Sequence, residues 1–310
     1  MNRRNFKNGN FYLDEFENHL KEEDKSARTI ETYMENIYDF INYLLSVDQS
    51  INKIEETSSI DIIEYRSFCI RRKNSVSTLN LKLSSLNAYF KFLTEMKIIT
   101  KNPTLQVKKI KVDNTGFTSQ KTFDEKTFRS LRRLYYREMN PLHICIFELL
   151  SKTGIRASEL CALKVENFDI QVFDQNSRSG KVGFIGKGNS YREIPLHCDV
   201  RAAIREWMAF RETRLLKSEY LLISERKEKF TTGGLRAIVR NYHSKIPGCN
   251  KFSLHSYRHY FAISLLRGYP PVDIVIVQRL LSHKSLLSTQ IYTQANYSDL
   301  EKAIEQIKNK

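Results

Sequence analysis

The sequence lacks the cysteine spacings that mark disulfide frameworks and zinc sites. Its five cysteines are odd in number, scattered along 310 residues, and never arranged as a Cys-x-x-Cys pair. This usage argues against a disulfide-stabilised or zinc-stabilised fold and is typical of reduced, partly buried thiols in a cytosolic protein. The five are Cys69, Cys145, Cys161, Cys198 and Cys249.

Long hydrophobic runs are also missing. The longest apolar stretches, such as residues 144–150, are far too short to cross a bilayer, and that one contains a glutamate. Residues 1–10 are polar and hold no apolar core of a signal peptide. There is no internal repeat and no low-complexity tract. We therefore expect a cytoplasmic globular protein with no membrane partner.

Negative charge is scarce in the later two thirds of the chain. The formal net charge is +15, yet residues 1–100 are near neutral, with 14 Lys and Arg against 15 Asp and Glu. Residues 101–310 hold 36 basic and 20 acidic residues. A one-sided excess of this kind indicates a polyanionic partner, nucleic acid above all. The alternative is that the charge serves solubility alone.

Hydrophobic periodicity predicts a mainly α-helical protein with a small antiparallel β-sheet, divided into two domains. Residues 1–100 predict a four-helix domain, with helices near 10–21, 26–44, 59–72 and 77–93. Residues 101–120 break the periodicity with an Asn-Pro pair, a cluster of turn formers and four lysines, so we interpret them as a basic linker. Residues 121–310 predict a second, mostly helical domain.

The second domain has one break in its helical pattern. Short strands are predicted at 168–170, 182–185 and 191–194, and Gly186-Lys187-Gly188-Asn189 is typical of a hairpin turn between the last two. Helices are predicted near 125–138, 141–151, 156–164, 199–214, 232–245, 254–267, 272–281, 285–293 and 297–308.

Several residues of this domain suit the chemistry of a DNA phosphodiester. A tyrosine hydroxyl can attack phosphorus and keep the bond energy in a phosphotyrosine. Arginines can hold the charged oxygens because a guanidinium binds two at once and stays protonated. A lysine or histidine must then protonate the leaving sugar oxygen. This scheme requires no metal, and the sequence contains no convincing metal cluster, so we expect no cofactor.

Two candidates for this chemistry, Arg156 and Lys187, lie in the first half of the predicted second domain. Arg156 follows Thr153-Gly154 at a predicted helix start, where backbone N–H groups favour an anion. Glu159 lies three residues later and could hold the arginine in place. Lys187 lies between two glycines at the hairpin tip, and glycine permits close approach to a phosphate or base.

The other candidates lie in the C-terminal third. His255 and Arg258 share a helix face at i, i+3, and His259 is a rival histidine. His283 follows Leu281-Ser282, and Tyr292 comes nine residues after it. Taken singly, each fragment fits an ordinary surface, turn or capping residue. Their order and spacing together indicate a DNA strand-transfer enzyme.

In this order the residues resemble the tyrosine recombinase, or phage integrase, family and its two-domain Xer-like members. The resemblance covers about 121–300 for the catalytic domain, and residues 9–99 are similar to the family's helical core-binding, SAM-like domain. It implies a site-specific recombinase that cleaves and rejoins DNA through a 3′-phosphotyrosine and a Holliday junction. The outcome could be integration, excision, inversion or resolution.

The resemblance also implies a role for each candidate residue. Tyr292 would be the nucleophile, Arg156 and Arg258 would hold the scissile phosphate, Lys187 would protonate the 5′-hydroxyl, His255 and His283 would assist by proton transfer and hydrogen bonding, and Glu159 would support them. The implied partners are double-stranded DNA core sites and three further copies of the chain, as a homotetramer with a dimer on each site. The bacterial cytoplasm would be its location, nucleoid-associated when bound.

Three features distinguish this chain within the resemblance. Ser282 stands where the family commonly has glycine, and Tyr257 where it often has an aliphatic residue. About eight residues precede the helical domain, so we expect no arm-binding domain. The last predicted helix, 297–308, could dock on a neighbouring protomer or on its own domain. A type IB topoisomerase-like or telomere-resolving enzyme and a non-catalytic DNA-binding regulator are the alternatives.

Overall fold

The computed structural model describes residues 11–48, 53–110, 122–185, 191–224, 229–268 and 270–282. The chain divides into two compact units, Met1–Asn114 and Thr115–Lys310. Helices make up most of both, and the described residues contain one sheet of two antiparallel strands. This confirms the predicted mainly helical fold with a small antiparallel sheet.

Four helices form the described part of the first unit, and three serine N-caps fix where helices two to four begin. Ser26 and Ser75 accept the backbone N–H groups of Thr29 and Thr78, at 3.2 and 3.1 Å. Ser58 accepts the N–H of Ile60. Such caps satisfy donors that the first turn of a helix leaves unpaired. The helices are α1 (Leu13–Glu22), α2 (Ala27–Val47), α3 (Ser59–Arg71) and α4 (Val76–Glu95).

The core of the first unit is aromatic and contains one internal ion pair. Lys82 donates to Asp39 at 2.6 Å, and the Tyr65 hydroxyl donates to the same carboxylate oxygen at 2.6 Å. The side chain of Lys82 is only 12% exposed, so this lysine ties α4 to α2. The buried apolar side chains around it include Phe16, Leu20, Ile37, Phe40, Leu86, Phe90 and Leu93.

The basic stretch after α4 begins along the first unit. A 3₁₀ turn at Pro103–Gln106 contacts α3 and α4. The Asn80 side chain donates to the Ile110 carbonyl and accepts its N–H, at 2.8 and 3.0 Å. Arg66 donates to the Lys108 carbonyl at 3.2 Å. Residues 103–110 are therefore held against α3 and α4 by specific hydrogen bonds.

The second unit is built around one buried helix, α6. This helix contacts α5, α8, α10 and α7, and its residues from 144 to 151 are all buried. The described helices of the unit are α5 (Glu125–Arg137), α6 (Pro141–Thr153), α7 (Ala157–Ala162), α8 (Cys198–Thr213), α9 (Thr232–Ser244), α10 (Leu254–Leu266) and α11 (Ile274–Leu281).

A hairpin of two strands completes the described part of this unit. Strands β1 (Lys181–Ile185) and β2 (Tyr191–Pro195) pair antiparallel, with Lys181 opposite Pro195 and Ile185 opposite Tyr191. The strand predicted at 168–170 is wrong. Phe168 forms a single bridge to Val182, and a 3₁₀ turn follows at Ile170–Val172. Asp169 turns the chain there, because its carboxylate accepts the N–H of Gln171 at 3.0 Å.

No helix in the described segments of either unit is both long enough and apolar enough to cross a bilayer. The helices predicted at 285–293 and 297–308 lie outside the described residues.

Candidate active site

The turn between α6 and α7 is the centre of the candidate site. Gly154 ends α6 with φ +62, a left-handed conformation that favours glycine. A methyl group at this position would lie 2.6 Å from Cδ1 of Phe261 and 2.8 Å from Cδ2 of Leu281. Gly154 therefore allows the chain to turn sharply while α10 and α11 approach its backbone closely.

Arg156 lies two residues after this glycine and immediately before α7. Its side chain is about one third exposed, at 35%, so the guanidinium reaches solvent. The Glu159 carboxylate accepts the Arg156 guanidinium at 2.7 Å and the Arg156 backbone N–H at 2.9 Å. Glu159 thus holds both the side chain and the main chain of Arg156.

Arg258 comes to the same turn from α10. It is 2% exposed, and its guanidinium donates to the backbone carbonyls of Gly154 and Leu281. These two carbonyls belong to the turn after α6 and to the last residue of α11. Arg258 therefore joins three chain segments, and the structure brings both predicted arginines to one turn.

His255 lies one helical turn before Arg258 and is exposed. Its ring centroid is 4.5 Å from that of His259, with the two rings nearly perpendicular, at 86°. Both histidines therefore lie on the accessible side of α10. Tyr257, between His255 and Arg258, is fully buried instead, and its hydroxyl lies 3.0 Å from Nε2 of His243.

Three predicted site residues, Lys187, His283 and Tyr292, lie outside the described residues. The structure describes what flanks two of them. Strand β1 ends at Ile185 and β2 begins at Tyr191. Helix α11 ends at Leu281, and Ser282 follows with φ 48 and ψ 54. Ser282 thus adopts a conformation that glycine adopts at lower cost, at the position before His283.

Sequence reasoning missed Arg192, which the structure places against Glu159. Arg192 lies on β2 and is 9% exposed. It donates to the Glu159 carboxylate at 2.8 Å and to the Leu280 carbonyl at 3.1 Å, and its guanidinium carbon lies 4.1 Å from the centroid of the Phe184 ring. Strand alternation was the available signal, since Arg192 shares the inward face of β2 with Ile194.

The charges of this cluster do not cancel. One carboxylate, that of Glu159, lies between the guanidinium groups of Arg156 and Arg192. Burial lowers the pKa of Arg192, and the charge of Glu159 opposes that shift. Because an arginine stays protonated in proteins, the trio keeps a net positive charge, to which Arg258 adds another. A cationic site with a partly exposed guanidinium can bind a phosphate.

Among the residues that the structure describes, one group has a spacing compatible with a metal ion. Ligand atoms of His197, Cys198 and Asp199 lie within 4.8 Å of one another near the start of α8. Asp199 already accepts from Arg132 at 2.9 Å and from Lys152, and Nδ1 of His197 accepts the Asp199 N–H at 3.2 Å. Two of the three residues thus have partners within the protein, and we assign no metal to them.

Comparison with known families gives two matches along the chain. Residues 126–299 match the phage integrase family. Residues 13–97 match the phage integrase N-terminal SAM-like domain. Together the two matches span the described α-helices from α1 to α11, apart from Glu125, the first residue of α5.

Individual proteins and structures give similarity over most of the chain. Tyrosine recombinase XerC of Listeria innocua serovar 6a is 30% identical over 287 residues, covering 90% of this chain and 91% of that protein. XerH recombinase in a post-cleavage complex with palindromic difH substrate superposes with a TM-score of 0.72 at 18% identity, over 95% of this chain and 84% of that one. A lambda integrase tetramer bound to a Holliday junction gives 0.65 at 19% identity, over 88% and 76%.

Proposed function

Since this chain belongs to the phage integrase family and is a site-specific tyrosine recombinase, we propose that Tyr292 is the residue that cleaves DNA. Its hydroxyl attacks the scissile phosphorus, forms a 3′-phosphotyrosine and releases a 5′-hydroxyl. In the second step a 5′-hydroxyl of the other DNA site attacks the phosphotyrosine and restores the phosphodiester. The position of Tyr292, nine residues after His283, supports this assignment.

Arg156 and Arg258 bind the non-bridging oxygens of the scissile phosphate. The observation that carries this proposal is their convergence on one turn, where Arg258 donates to Gly154 and Arg156 follows two residues later. Negative charge builds on these oxygens during attack, and fixed cations stabilise it most where the surroundings are already organised. Glu159 limits the positions that the Arg156 side chain can take.

Lys187 protonates the leaving 5′-oxygen, and His255 and His283 assist by proton transfer and hydrogen bonds to the phosphate. Lys187 lies in the sequence between the antiparallel strands β1 and β2, and we propose that it enters a DNA groove. His255 is exposed on α10, at i−3 from Arg258, which suits a group that must reach DNA. No metal or cofactor is needed in this scheme.

Residues 1–100 form the core-binding domain, 101–120 a basic linker and 121–310 the catalytic domain, and both domains bind double-stranded DNA. The excess of basic residues after residue 100 supports contact with the phosphate backbone there. The relatives named tyrosine recombinase XerC are bacterial, which supports activity in a bacterial cytoplasm.

Four copies of the chain act together, two on each core site. Exchange between two duplexes breaks four strands, and each protomer supplies one tyrosine, so the chemistry requires four protomers. The tetramer of lambda integrase on a Holliday junction supports the same number. Residues 297–308, with apolar positions at helical spacing, are the segment we assign to docking on a neighbouring protomer.

The test is the Tyr292→Phe variant on a suicide DNA substrate that traps the cleaved strand. Loss of the hydroxyl removes the attacking oxygen, so we expect no covalent protein–DNA adduct on a denaturing gel and unchanged DNA affinity. Tyr220→Phe is the control, because it removes a phenolic hydroxyl from the same domain outside the proposed site and should leave adduct formation intact. Adduct at the wild-type yield from Tyr292→Phe would refute the assignment.

The two alternative functions are not favoured by the family matches. A topoisomerase-like enzyme would relax supercoiled DNA of any sequence as a monomer, and a regulator would bind DNA without forming an adduct. The same suicide-substrate assay distinguishes the regulator, and a supercoil-relaxation assay on DNA without a recombination site distinguishes the topoisomerase.

A further inference from the structure

Arg192 stands out among the buried charges of the second unit because the proposed reaction gives it no role. Its side chain is 8% exposed and ends between a carboxylate, a carbonyl and an aromatic ring. Burying a guanidinium is costly unless its partners are well placed. Its Nε also lacks a hydrogen-bond partner among the described residues. A charge retained under these conditions calls for an explanation.

The contacts of Arg192 reach two described parts of the proposed phosphate site, namely Glu159 beside Arg156 and the end of α11. It donates to Glu159, which is the residue that holds Arg156. Through the Leu280 carbonyl it contacts the last turn of α11, three residues before His283. Its own strand, β2, begins four residues after Lys187 in the sequence.

Arg258 makes a similar contact to the end of α11, but from helix α10. Arg192 donates to the carbonyl of Leu280, and Arg258 donates to that of Leu281. The last carbonyls of a helix lack partners within the helix and lie at the negative end of its dipole. Two guanidinium groups thus hold the C-terminal end of α11, one from β2 and one from α10.

Glu159 accepts three donors at once, and Arg192 supplies one of them. Its Oε2 accepts from Arg192 and from the Arg156 backbone, and its Oε1 accepts from the Arg156 guanidinium. A carboxylate bound on both oxygens has a fixed orientation. Since it is shared between two cations, it also leaves Arg156 with net positive charge to offer a phosphate.

We propose that Arg192 is a positioning residue for strand cleavage, which sets Glu159 and Arg156 against the phosphate and fixes the end of α11 ahead of His283. It does not touch DNA itself. The proposal rests on the phosphate-binding role proposed for Arg156. A displacement of about 1 Å in such a group can slow a reaction about a hundredfold.

The experiment compares Arg192→Gln and Arg192→Lys with wild type in single-turnover adduct formation at saturating DNA. We expect Arg192→Gln to slow cleavage about ten- to a hundredfold, with DNA affinity changed less than about threefold. Arg192→Lys should recover part of the rate, because a lysine restores the charge beside Glu159 but reaches only one of the two acceptors. Thermal unfolding of each variant shows whether it is folded.

Arg201→Gln is the matched control. Arg201 is also buried, at 8% exposure, and its guanidinium donates to the Leu196 carbonyl just after β2. No contact between Arg201 and Glu159 is found among the described residues. Arg201→Gln should therefore be less stable than wild type, because the contacts of a buried arginine are lost. It should still cleave DNA at the wild-type rate.

A second substrate separates positioning from general damage to the fold. Replacing the scissile phosphate with a neutral methylphosphonate removes the charge that Arg156 is proposed to bind. On this substrate the rate ratio between wild type and Arg192→Gln should shrink to below about threefold. Equal slowing on both substrates would overturn the role of Arg192 in positioning Arg156, and wild-type cleavage of the phosphate by Arg192→Gln would overturn both of its roles.

Two further variants show which proposal has failed. If Arg156→Lys and Tyr292→Phe abolish adduct formation while Arg192→Gln cleaves normally, only the role of Arg192 is wrong. If Arg156→Lys cleaves at the wild-type rate, the phosphate-binding role itself is wrong. The double variant Glu159→Gln, Arg192→Gln should be slowed less than the product of the two single effects, because the two residues share one contact.

Discussion

At the scale of single residues, backbone conformation determines which amino acids fit at two positions of the candidate site. Gly154 and Ser282 both adopt the left-handed conformation, and each ends a helix beside an arginine contact. Glycine at residue 154 meets a steric need, since Phe261 and Leu281 fill the space around it. Serine at residue 282 departs from the family's common glycine, and its conformation gives that preference a physical reason.

Gly154→Ala should reduce the free energy of unfolding by about 2–4 kcal/mol, from backbone strain together with overpacking against Phe261 and Leu281. Cleavage should also slow, because the Gly154 carbonyl holds Arg258. Denaturant unfolding and the adduct assay measure the two effects. Gly248→Ala is the control: Gly248 has φ +72, but an added Cβ would meet no atom within 4 Å beyond its chain neighbours, so this variant should lose only about 1 kcal/mol. Equal losses in the two variants would contradict the packing argument.

At the scale of elements, helices α9 and α10 meet through a buried histidine. Nδ1 of His243 lies 3.3 Å from the Phe252 carbonyl, which can only accept, so Nδ1 carries the proton and Nε2 accepts the Tyr257 hydroxyl. This arrangement suits a neutral ring. Burial lowers the pKa of His243, although the hydrogen bond to Phe252 opposes the shift. We therefore expect the contact between these helices to weaken when the ring is protonated.

Stability should fall as the pH drops below about 6.5, the ordinary value for histidine. Because the pKa of His243 is lowered in the folded chain, the unfolded chain binds more protons in this range. The stabilisation that the neutral His243 ring provides is complete above about pH 6.5. It is lost as the pH falls toward the pKa that the ring has in the folded chain. Denaturant unfolding at pH 7.5 to 5.5 tests this. His243→Gln should flatten the profile, and a slope equal to that of wild type would contradict the assignment.

At the scale of the whole molecule, the asymmetry of charge governs affinity for DNA. Residues 101–310 hold 36 basic and 20 acidic residues, whereas residues 1–100 hold 14 and 15. Basic side chains that contact phosphates release condensed counterions, so binding depends on salt in proportion to the number of contacts. The two-domain recombinase should therefore bind any duplex weakly and its own core sites more tightly.

DNA affinity should weaken at least about a hundredfold between 50 and 200 mM salt, measured by fluorescence anisotropy on a labelled duplex. A duplex of unrelated sequence serves as the control, and its affinity should fall with a similar slope but from a weaker starting value. A flat response to salt would mean that the basic excess does not contact the phosphate backbone.

The sequence by itself determined the helical class and most helix positions. Helical periodicity and N-cap residues such as Ser26 are local signals, and each helix forms where its apolar stripe can be buried. The failed strand at 168–170 shows the limit of such signals. Phe168 makes a single bridge to β1 and the chain then turns, because the Asp169 carboxylate accepts the N–H of Gln171 two residues later.

Only the tertiary structure decided which charges meet. Arg156 and Arg258 are 102 positions apart in the sequence and share a turn because α10 packs on α6. Arg192 appears in the sequence as one more basic residue on a strand, yet folding buries it between Glu159 and the end of α11. Periodicity reports which face of an element is buried, whereas the partner of a buried charge is set by long-range packing, which no local pattern encodes.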